Sequence, residues 1–382
     1  MTGAIARPVI SGERYAARLA RAGELVGARG ADALLVGVGP DMWYLTGYEA
    51  MPLERLTMVV VLPGQAPRIV VPRLERPAAE AGLRTPLPIT TWTETEDPFA
   101  IVAGWVASAA RRLLVSDRLS AAHLLALQAH LRGATWSVAS ELLRELRMHK
   151  DPDEIALLTL AAHAADRVVA QVAAGRLVGR TETDVAHEVR ERVVAEGHDE
   201  AHFAIVASGP NSASPHHDAS DKVIRAGEPI VIDIGGTVGG YGSDITRTVW
   251  VTGGDPANGP DAEFRRLYDV LQDAQSEATA AVRPGVACER IDGVARGIID
   301  AAGYGDRFIH RTGHGIGLEG HEEPYLVAGS TEPLTPGMAF SVEPGIYLEG
   351  RYGARIEDIV VCGDAGPIVL NEAPRDLLVV DG

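Results

Sequence analysis

The segments PIVIDIGG (residues 229–236) and GGYGSDITRT (residues 239–248) predict a β-hairpin that carries an acid on each strand. The apolar first strand holds Asp233, glycines reverse the chain, and the second strand begins at Asp244. The midpoint between the two acids lies inside the turn. In a regular hairpin with that centre, the acids are cross-strand neighbours with Cβ atoms about 4.5 to 5.5 Å apart. Like charges at that distance are destabilising unless a cation lies between them.

Each of these acids also has an ordinary structural interpretation. An aspartate beside glycines is usually a turn residue whose side chain binds its own backbone, and this interpretation is favoured for Asp244 taken alone. Asp233 is different because it interrupts an apolar run that is expected to be buried. Burying a carboxylate without a partner is unfavourable. Metal ligation is the simplest compensation.

A second pair of acids follows the same plan. MAFSVEPG (residues 338–345) is again an apolar strand that leads to Glu343, and GARIEDIVV (residues 353–361) carries Glu357 into another strand. These glutamates lie 110 and 113 residues after the first and second aspartates. We therefore predict that both pairs occupy equivalent places in an internal repeat. Four converging carboxylates need roughly two divalent cations to neutralise them.

The order of predicted elements after residue 150 supports that repeat. Two helices followed by strands occur twice, and corresponding landmarks lie 104 to 109 residues apart. The predicted helices cover about residues 152–174, 182–196, 261–282 and 287–302. Domains made of two such halves tend to place their site in the cleft between the halves.

A glycine-rich histidine segment supplies a candidate nitrogen ligand. HRTGHGIGLEGH (residues 310–321) contains three histidines in twelve residues, and its glycines let the backbone approach a ligand closely. A flexible surface loop is the alternative interpretation. One histidine with four carboxylates makes an oxygen-rich site, which suits Mn²⁺, Co²⁺ or Fe²⁺ better than a structural zinc.

Residues 1–148 are predicted to form a separate α/β domain. Its first helix begins after the N-cap Ser11. Strands are predicted at residues 33–39, 58–64 and 68–73, and helices at residues 74–82 and 97–112. The segment DPDE (residues 151–154) then provides an N-cap acid, a proline at the first helical position and an acid at N3. We therefore place a second domain at residues 149–382.

The ligand candidates, in this order and at these intervals, resemble the dinuclear metallopeptidases of the pita-bread fold: methionine aminopeptidase, aminopeptidase P and prolidase. They are Asp233, Asp244, His314, Glu343 and Glu357. The resemblance covers residues from about 150 to 382. Residues 1–148, with DMWYLTG at 41–47, resemble the creatinase-like N-terminal domain of the proline-specific members. The implied fold is an α/β creatinase-like domain followed by an α+β pita-bread catalytic domain with two pseudo-symmetric halves.

The resemblance also implies a role for each ligand. Asp233 chelates one metal ion, Asp244 and Glu357 bridge both ions, and His314 and Glu343 complete the second. Two divalent ions are implied, with Mn²⁺ favoured over Co²⁺, Fe²⁺ or Zn²⁺. The implied nucleophile is a hydroxide that bridges the two ions, and Glu343 is our candidate for the proton shuttle.

Three further histidines resemble positions that contact the substrate in this family. His216 lies 17 residues before Asp233 and fits the substrate-binding histidine, with neighbouring His217 as the competitor. His310 and His321 flank the candidate ligand and correspond to histidines that contact the substrate carbonyl and the proline side.

Two residues are candidates for supporting roles around the ligands. Arg355 lies two residues before Glu357 and resembles an arginine that orients ligands or substrate. Tyr347 is a weaker candidate, and a place in the apolar core is an equal alternative for it.

The histidine spacing and the two-domain length resemble aminopeptidase P and prolidase, which implies hydrolysis of Xaa-Pro dipeptides or short peptides. A bond to proline lacks an N–H and has a fixed ring, so it needs a dedicated pocket. Xaa-Pro dipeptidase is favoured, and Xaa-Pro aminopeptidase is the alternative. A creatinase-like amidinohydrolase and a non-enzymatic peptide-binding module rank low because all five ligands are present. A metal-dependent lyase keeps a similar ligand set and stays an alternative.

The composition excludes several other classes of protein. The chain of 382 residues is 46% hydrophobic, which is typical of globular proteins, and its net charge of -17 argues against binding to nucleic acid or anionic membranes. The acidic excess lies after residue 150, where 18 Lys and Arg stand against 38 Asp and Glu. Two cysteines and the absence of a signal-peptide pattern favour the cytoplasm. No apolar run approaches the 18 residues of a membrane-spanning segment. The resemblance implies a homodimer.

Overall fold

The computed structural model describes residues 7–106 and 110–382. These residues divide into two compact units. The smaller unit is Val9–Arg147, and the larger unit is Met148–Gly382 together with residues 7 and 8. Each unit has its own buried apolar core.

The described part of the smaller unit is a mixed β-sheet of six strands with helices around it, which confirms the predicted α/β pattern. The strand order is β4-β3-β2-β1-β5-β6, with antiparallel pairs β1–β2 and β2–β3 and parallel pairs elsewhere. The strands are β1 (Ala33–Gly37), β2 (Met58–Val61), β3 (Arg68–Pro72), β4 (Ile89–Trp92), β5 (Arg112–Val115) and β6 (Thr135–Val138). The helices are α1 (Gly12–Ala28), α2 (Pro40–Thr46), α3 (Arg76–Gly82), α4 (Pro98–Trp105), α5 (Ala121–His130) and α6 (Ser140–Arg147).

Helix α4 is shorter than the sequence predicted. The predicted helix over residues 97–112 was wrong at its C-terminal end, because α4 ends at Trp105 and residues 107–109 lie outside the described part of the chain. Arg112 begins β5, whose apolar residues pair in parallel with β1 and are buried. Pairing within the sheet therefore overrides the local helical pattern.

The larger unit contains two sheets of five strands and a two-stranded ribbon among its described residues. The strand orders are β18-β10-β8-β7, with β9 beside β8, and β12-β11-β13-β16-β17; the ribbon is β14–β15. Its helices are α7 (Pro152–Ala173), α8 (Glu182–Ala195), α9 (Ala262–Ala280) and α10 (Cys288–Ala301). Its strands are β7 (Glu200–Ser208), β8 (Glu228–Val238), β9 (Tyr241–Gly242), β10 (Ile245–Val251), β11 (Gly313–Gly315), β12 (Glu322–Leu326), β13 (Ala339–Val342), β14 (Gly345–Leu348), β15 (Tyr352–Arg355), β16 (Asp358–Cys362), β17 (Pro367–Val369) and β18 (Leu378–Val380).

Two halves of similar plan make up this unit, as the repeat predicted. In the first half, α7 and α8 cover the sheet of β7, β8 and β10 around one apolar core. In the second half, α9 and α10 pack with β13 and β16 around another apolar core. The pseudo-symmetric pita-bread arrangement therefore follows from two helix-covered sheets, each with its own hairpin.

Helix α7 begins with the cap that the sequence predicted. The Asp151 side chain accepts hydrogen bonds from the backbone N–H groups of Asp153 and Glu154, and the Glu154 side chain completes a capping box. By length and composition α7 could cross a membrane, although 56% of its apolar window is buried inside the protein. The sequence shows no uninterrupted apolar run here because Asp166 and Arg167 lie within the apolar pattern. A buried core helix can have the same length and apolar composition.

The first hairpin turns one residue later than the sequence predicted. β8 and β10 pair with Asp233 opposite Thr246, and β9 continues the same register. Gly239 and Gly240 form the turn, with φ values of 62° and 83°. A two-residue turn of this kind needs a positive φ at both central residues, and glycine adopts it readily. Asp244 is therefore a diagonal neighbour of Asp233, and the predicted direct cross-strand pairing was wrong.

Candidate metal centre

The first hairpin carries Asp233 and Asp244 to the wall of one cavity. Asp233 lies in the middle of β8, and Asp244 lies between β9 and β10. Their relative exposures are 7% and 5%, so both carboxylates are almost completely withdrawn from solvent. Because they are two residues apart in register, they lie on the same face of the sheet.

The second hairpin places Glu343 and Glu357 directly opposite one another in register. β13 pairs with β16, and β14 pairs with β15, in a single antiparallel register that is interrupted at these two glutamates. Their backbone N–H groups donate instead to the carbonyl oxygens of Thr312 and Thr246. The predicted equivalence of the two acid pairs is therefore wrong in detail, because Thr246, and not Asp244, occupies the position opposite the first acid.

His314 enters the same cavity from β11, which pairs with both β12 and β13. Its Nδ1 lies 3.1 Å from the carbonyl oxygen of Gly315, so this nitrogen carries the proton and donates. Its Nε2 lies 3.2 Å from Oε1 of Glu343 and 3.8 Å from Oδ2 of Asp244. The backbone contact therefore orients the unprotonated nitrogen towards the carboxylates, as metal ligation requires.

Three side chains meet closely enough to share one cation. Ligand atoms of Asp244, His314 and Glu357 all lie within 4.8 Å of one another, and all three residues are buried. Asp233 and Glu343 line the same cavity. The structure thus brings together all five residues that the sequence singled out as ligand candidates.

Two carboxylate oxygens at this centre, Oδ1 of Asp233 and Oε1 of Glu357, are buried without a hydrogen-bond partner in the described parts of the chain. The other oxygen of each acid is held, because Asp233 accepts from Arg355 and Glu357 accepts from Thr246 at 2.7 Å. An unpartnered buried carboxylate oxygen is unfavourable in protein alone. The residues therefore fit divalent metal ions, which would take up these free oxygens.

The pKa values of the acids reflect the same crowding. Burial, together with the charges of neighbouring carboxylates, raises the pKa of Asp244 and of Glu357 well above the ordinary range. Burial and the charge of Glu343 also raise the pKa of Asp233, although Arg355 opposes this change. Burial alone would raise the pKa of Glu343, but the adjacent His314 lowers it to about 2. Protons or metal cations must therefore compensate the repulsion.

Arg355 holds one carboxylate oxygen of Asp233. Its Nη2 donates to Oδ2 of Asp233 at 2.6 Å, and its Nε donates to Oγ1 of Thr246 at 3.1 Å. Its Nη1 donates to the hydroxyl of Tyr347 and to the carbonyl oxygen of Pro215. Arg355 is thus committed to holding ligands and the cavity wall in place.

Comparison with known proteins identifies the family of this fold and cavity. Residues 156–364, more than half of the chain, match metallopeptidase family M24, and residues 18–149 match the Creatinase/Prolidase N-terminal domain. The chain belongs to metallopeptidase family M24. This family implies divalent metal ions, in agreement with the carboxylate-rich centre.

Relatives of this M24 chain are similar along nearly its whole length. A probable dipeptidase PepE of Mycobacterium bovis is 45% identical over 375 residues, which cover 96% of this chain and 97% of the relative. The crystal structure of dipeptidase PepE from Mycobacterium ulcerans superposes with a TM-score of 0.89 at 43% identity, covering 97% and 99% of the two chains. A prolidase from Thermococcus sibiricus has the same TM-score at 35% identity, covering 97% of this chain and all of that chain.

The M24 centre opens into a cavity of about 430 Å³. Beside the five ligand candidates, its wall contains three histidines, two arginines and an apolar patch from β7 and the segment after it. These residues are His216, His310, His321, Arg311, Arg355, Phe203, Ile205 and Pro215. All of the predicted site residues therefore line a single cavity.

The structure separates the roles of the two adjacent histidines. His216 lines the cavity, whereas His217 points to the fully buried Glu182, with Nε2 at 2.8 Å from the carboxylate. Burial would raise the pKa of Glu182, but hydrogen bonds from Ser220, Ser208 and His217 lower it to about 2. Glu182 thus anchors the segment that presents His216.

His310 belongs to a chain of hydrogen bonds that ends at Asp233. Its Nδ1 lies 2.8 Å from the carbonyl oxygen of Arg311, and its Nε2 lies 2.9 Å from the Tyr347 hydroxyl. That hydroxyl also accepts from Arg355, so Tyr347 connects His310 with the arginine that holds Asp233. Tyr347 is buried, and burial raises its pKa to about 12. It contacts site residues rather than only the apolar core.

The ring of His321 packs against the ring of His314, with centroids 4.0 Å apart and an interplanar angle of 55°. Burial lowers the pKa of His321 to about 4, and the neighbouring His314 adds to the effect. Burial also lowers the pKa of His310. Both flanking imidazoles are therefore neutral near pH 7, so each can donate from one nitrogen and accept at the other.

Sequence reasoning missed three residues of functional interest. Thr246 holds Glu357, and its position opposite Asp233 became visible only with the true register of the hairpin. Glu182 lies at the start of α8, where an acid is expected for the helix terminus alone. Arg311 stands inside the histidine segment, but nothing in the sequence distinguished it from a surface arginine.

Proposed function

We propose that this chain is an Xaa-Pro dipeptidase that uses two divalent metal ions. The observation that carries the proposal is the convergence of three buried carboxylates, the partly buried Glu343 and His314 on one cavity, with two carboxylate oxygens that have no hydrogen-bond partner among the described residues. The similarity to dipeptidases and a prolidase over almost the whole chain supports the choice of substrate.

The proposed ligands are Asp233, Asp244, His314, Glu343 and Glu357. When bound, the metal ions would supply a strong nucleophile by lowering the pKa of a water molecule, and they would polarise the scissile carbonyl group. Glu343 is the proposed proton shuttle, because its carboxylate lies in the cavity wall beside the other ligand candidates, where it could exchange a proton with a bound water molecule. The proposed reaction does not require a Ser or Cys nucleophile.

The cavity histidines are proposed to position the substrate. His310 and His321 are neutral near pH 7 and are held by Tyr347 and His314, so they present fixed polar atoms without adding charge. His216 is proposed to contact the substrate from the opposite half of the unit. The apolar patch of Phe203, Ile205 and Pro215 offers a surface on which an apolar substrate group can pack.

Several broader assignments belong to the same proposal. Mn²⁺ is favoured as the physiological ion because the ligand set has one nitrogen and many carboxylate oxygens. We place the N-terminal creatinase-like domain at residues 1–148 and the catalytic domain at residues 149–382, and we propose a cytoplasmic homodimer. Sedimentation of the purified protein tests the dimer, with a single monomeric species as the contrary result.

The decisive experiment combines metal analysis with a small set of substrates. The purified protein is stripped with chelator, reloaded with Mn²⁺, Co²⁺, Fe²⁺ or Zn²⁺, and assayed on Ala-Pro, Ala-Ala, Ala-Pro-Ala and creatine. We expect about two ions per chain and rapid hydrolysis of Ala-Pro only when a metal is present. Failure to cleave both proline peptides with every ion would overturn the peptidase assignment. Faster cleavage of Ala-Pro-Ala than of Ala-Pro would favour the aminopeptidase instead.

A further inference from the structure

Helix α10 carries an ion pair beside the segment that leads to the cavity histidines. Asp292 and Arg296 lie four residues apart on the helix, with the acid nearer its N-terminus, the favourable order for such a pair. The arginine donates from Nε and Nη2 to the two carboxylate oxygens, each at 2.9 Å. Asp292 is buried, and neither residue is among the described residues that line the cavity. An effect of this α10 ion pair on the reaction must therefore pass through other residues.

Arg296 binds the backbone on both sides of one residue in that segment. Its Nη1 donates to the carbonyl oxygen of Phe308 at 3.0 Å, and its Nη2 donates to that of His310 at 2.9 Å. The guanidinium carbon also lies 4.3 Å from the centre of the Phe308 ring. A guanidinium presents its five N–H groups in a rigid fork, so it can bind a carboxylate and two carbonyl groups together. The segment before β11 is thus attached to α10.

Asp292 holds the same segment two residues further along. Its Oδ1 accepts from the N–H of Thr312 at 3.1 Å and from the hydroxyl of Thr312 at 2.8 Å. The carbonyl oxygen of Thr312 in turn accepts from the N–H of Glu343 at 2.8 Å. The acid of the α10 ion pair therefore fixes a residue that binds the backbone of the proposed proton shuttle.

His310 lies between these two attachments and reaches the cavity. Its ring meets the Phe308 ring at right angles, with centroids 5.1 Å apart, and its Nε2 lies 2.9 Å from the hydroxyl of Tyr347. Its backbone is held by Arg296. The imidazole is thus fixed by its backbone, by its ring and by one nitrogen. Since the α10 ion pair also reaches Glu343 through one backbone link, a single helix connects both cavity residues.

We infer that Asp292 and Arg296 are positioning residues, which fix the place of His310 relative to Glu343. The inference rests on the proposed peptidase function, in which His310 positions the substrate and Glu343 moves a proton. A displacement of about 1 Å in a positioned group can lower a reaction rate by about 100-fold. The α10 ion pair therefore acts on the turnover of bound substrate, and it does so without contact with substrate or metal.

The first test separates turnover from metal binding. Metal-loaded Arg296→Met is expected to bind about two ions per chain and to hydrolyse Ala-Pro with a kcat about 10- to 100-fold below wild type and a KM within about twofold. Arg296→Lys keeps a cation beside the buried Asp292 and so protects the fold, but it lacks the planar fork, and we expect an intermediate loss of kcat. Arg290→Met removes an exposed arginine of α10 and should match wild type.

A double-mutant cycle identifies the residue through which Arg296 acts. His310→Ala removes the imidazole, so adding Arg296→Met to it should lower kcat by less than about twofold more. A purely structural role would instead give the full loss in both backgrounds. Full additivity, an unchanged kcat in Arg296→Met and Arg296→Lys, or loss of the metal ions in both variants would each overturn the inference.

Hydrogen exchange of the metal-free proteins tests the attachment without any activity assay. Mass spectrometry should show faster exchange for residues 308–312 in Arg296→Met and wild-type exchange in Arg290→Met. Unchanged exchange in Arg296→Met would overturn the inference. A wild type that cleaves neither Ala-Pro nor Ala-Pro-Ala would refute the peptidase function itself, and the exchange result would then still show whether the α10 ion pair holds this segment.

Discussion

Arg355 and Asp233 form a buried ion pair in which Nη2 of the arginine lies 2.6 Å from Oδ2 of the aspartate, while Oδ1 has no partner. The arginine therefore fixes the direction of the free oxygen. Since Arg355 also binds Thr246 and Tyr347, it links a candidate ligand from one half of the unit with supporting groups from both halves.

Removal of this arginine is expected to weaken metal binding. Arg355→Met leaves the charge of Asp233 buried without its partner, so we expect a 10- to 100-fold loss of metal affinity, the usual range for a residue that supports a ligand. Titration calorimetry of the chelator-treated protein with Mn²⁺ measures it. Arg351→Met removes an exposed arginine on the same hairpin and serves as the control. Unchanged affinity in Arg355→Met would show that Asp233 does not need orientation.

Asp244→Asn should lower metal content and activity together. Asp244 contributes an oxygen to the group of three that lies within 4.8 Å, and its amide would be a poor substitute as a ligand. We expect fewer than two ions per chain by mass spectrometry and less than about 1% of wild-type activity. Asp269→Asn changes an exposed aspartate on α9 and is the control.

Asp244→Asn should stabilise the protein when no metal is bound. Burial and neighbouring carboxylates raise the pKa of Asp244, so removing its charge relieves repulsion. We therefore expect a higher melting temperature for Asp244→Asn than for wild type in chelator, and a lower one with Mn²⁺ in excess. Full activity with two bound ions in Asp244→Asn would show that Asp244 is not a required ligand.

Glu182→Gln should make stability less dependent on acid pH. Hydrogen bonds lower the pKa of Glu182 from 4.5 to about 2, so the folded protein gains stability above pH 4.5 that is lost as pH falls towards 2. We expect Glu182→Gln to lose about 3 kcal/mol at pH 7 and to converge with wild type near pH 2. Urea unfolding at several pH values measures this. Glu191→Gln, an exposed acid on α8, is the control. A difference that is constant with pH would contradict the assignment.

Tyr347→Phe should slow the reaction with little effect on metal content. It removes the hydroxyl that accepts from Arg355 and contacts His310, both at 2.9 Å, and leaves the ring in place. A lost hydrogen bond to a charged group corresponds to a decrease of roughly tenfold in kcat. Steady-state kinetics and metal analysis measure the two effects. Tyr304→Phe, in the segment after α10, should be close to wild type. Loss of both ions in Tyr347→Phe would show that the tyrosine supports the ligands.

The cluster of candidate metal ligands was largely predictable from the sequence because its acids interrupt or end apolar strands. Asp233 and Glu343 stand where a periodic buried pattern expects an apolar residue, so their chemistry is visible without any knowledge of contacts. The capped start of α7 and the two helix-covered halves also follow from local signals, namely Asp151 with Pro152 and the spacing of the repeat.

Register and side-chain direction were decided only by the tertiary structure. The turn at Gly239 and Gly240 moved Asp244 from a direct to a diagonal position, since a shift of one residue in a turn changes every cross-strand pair. β5 replaced the end of a predicted helix because a neighbouring strand was available to pair with it.

The two arginines of the cavity also show what the sequence determines and what the tertiary structure decides. Their sequence contexts mark both as cations near candidate ligands, but only the folded chain pairs Arg355 with Asp233 and places the Arg311 guanidinium over the Tyr325 ring, with no ion-pair partner among the described residues. Residue types and their spacing are local properties, and they determined the presence of a carboxylate-rich centre with one histidine. The partner of each side chain depends on which segments meet in space, so long-range packing decided which side chains hold the carboxylates and which line the open cavity.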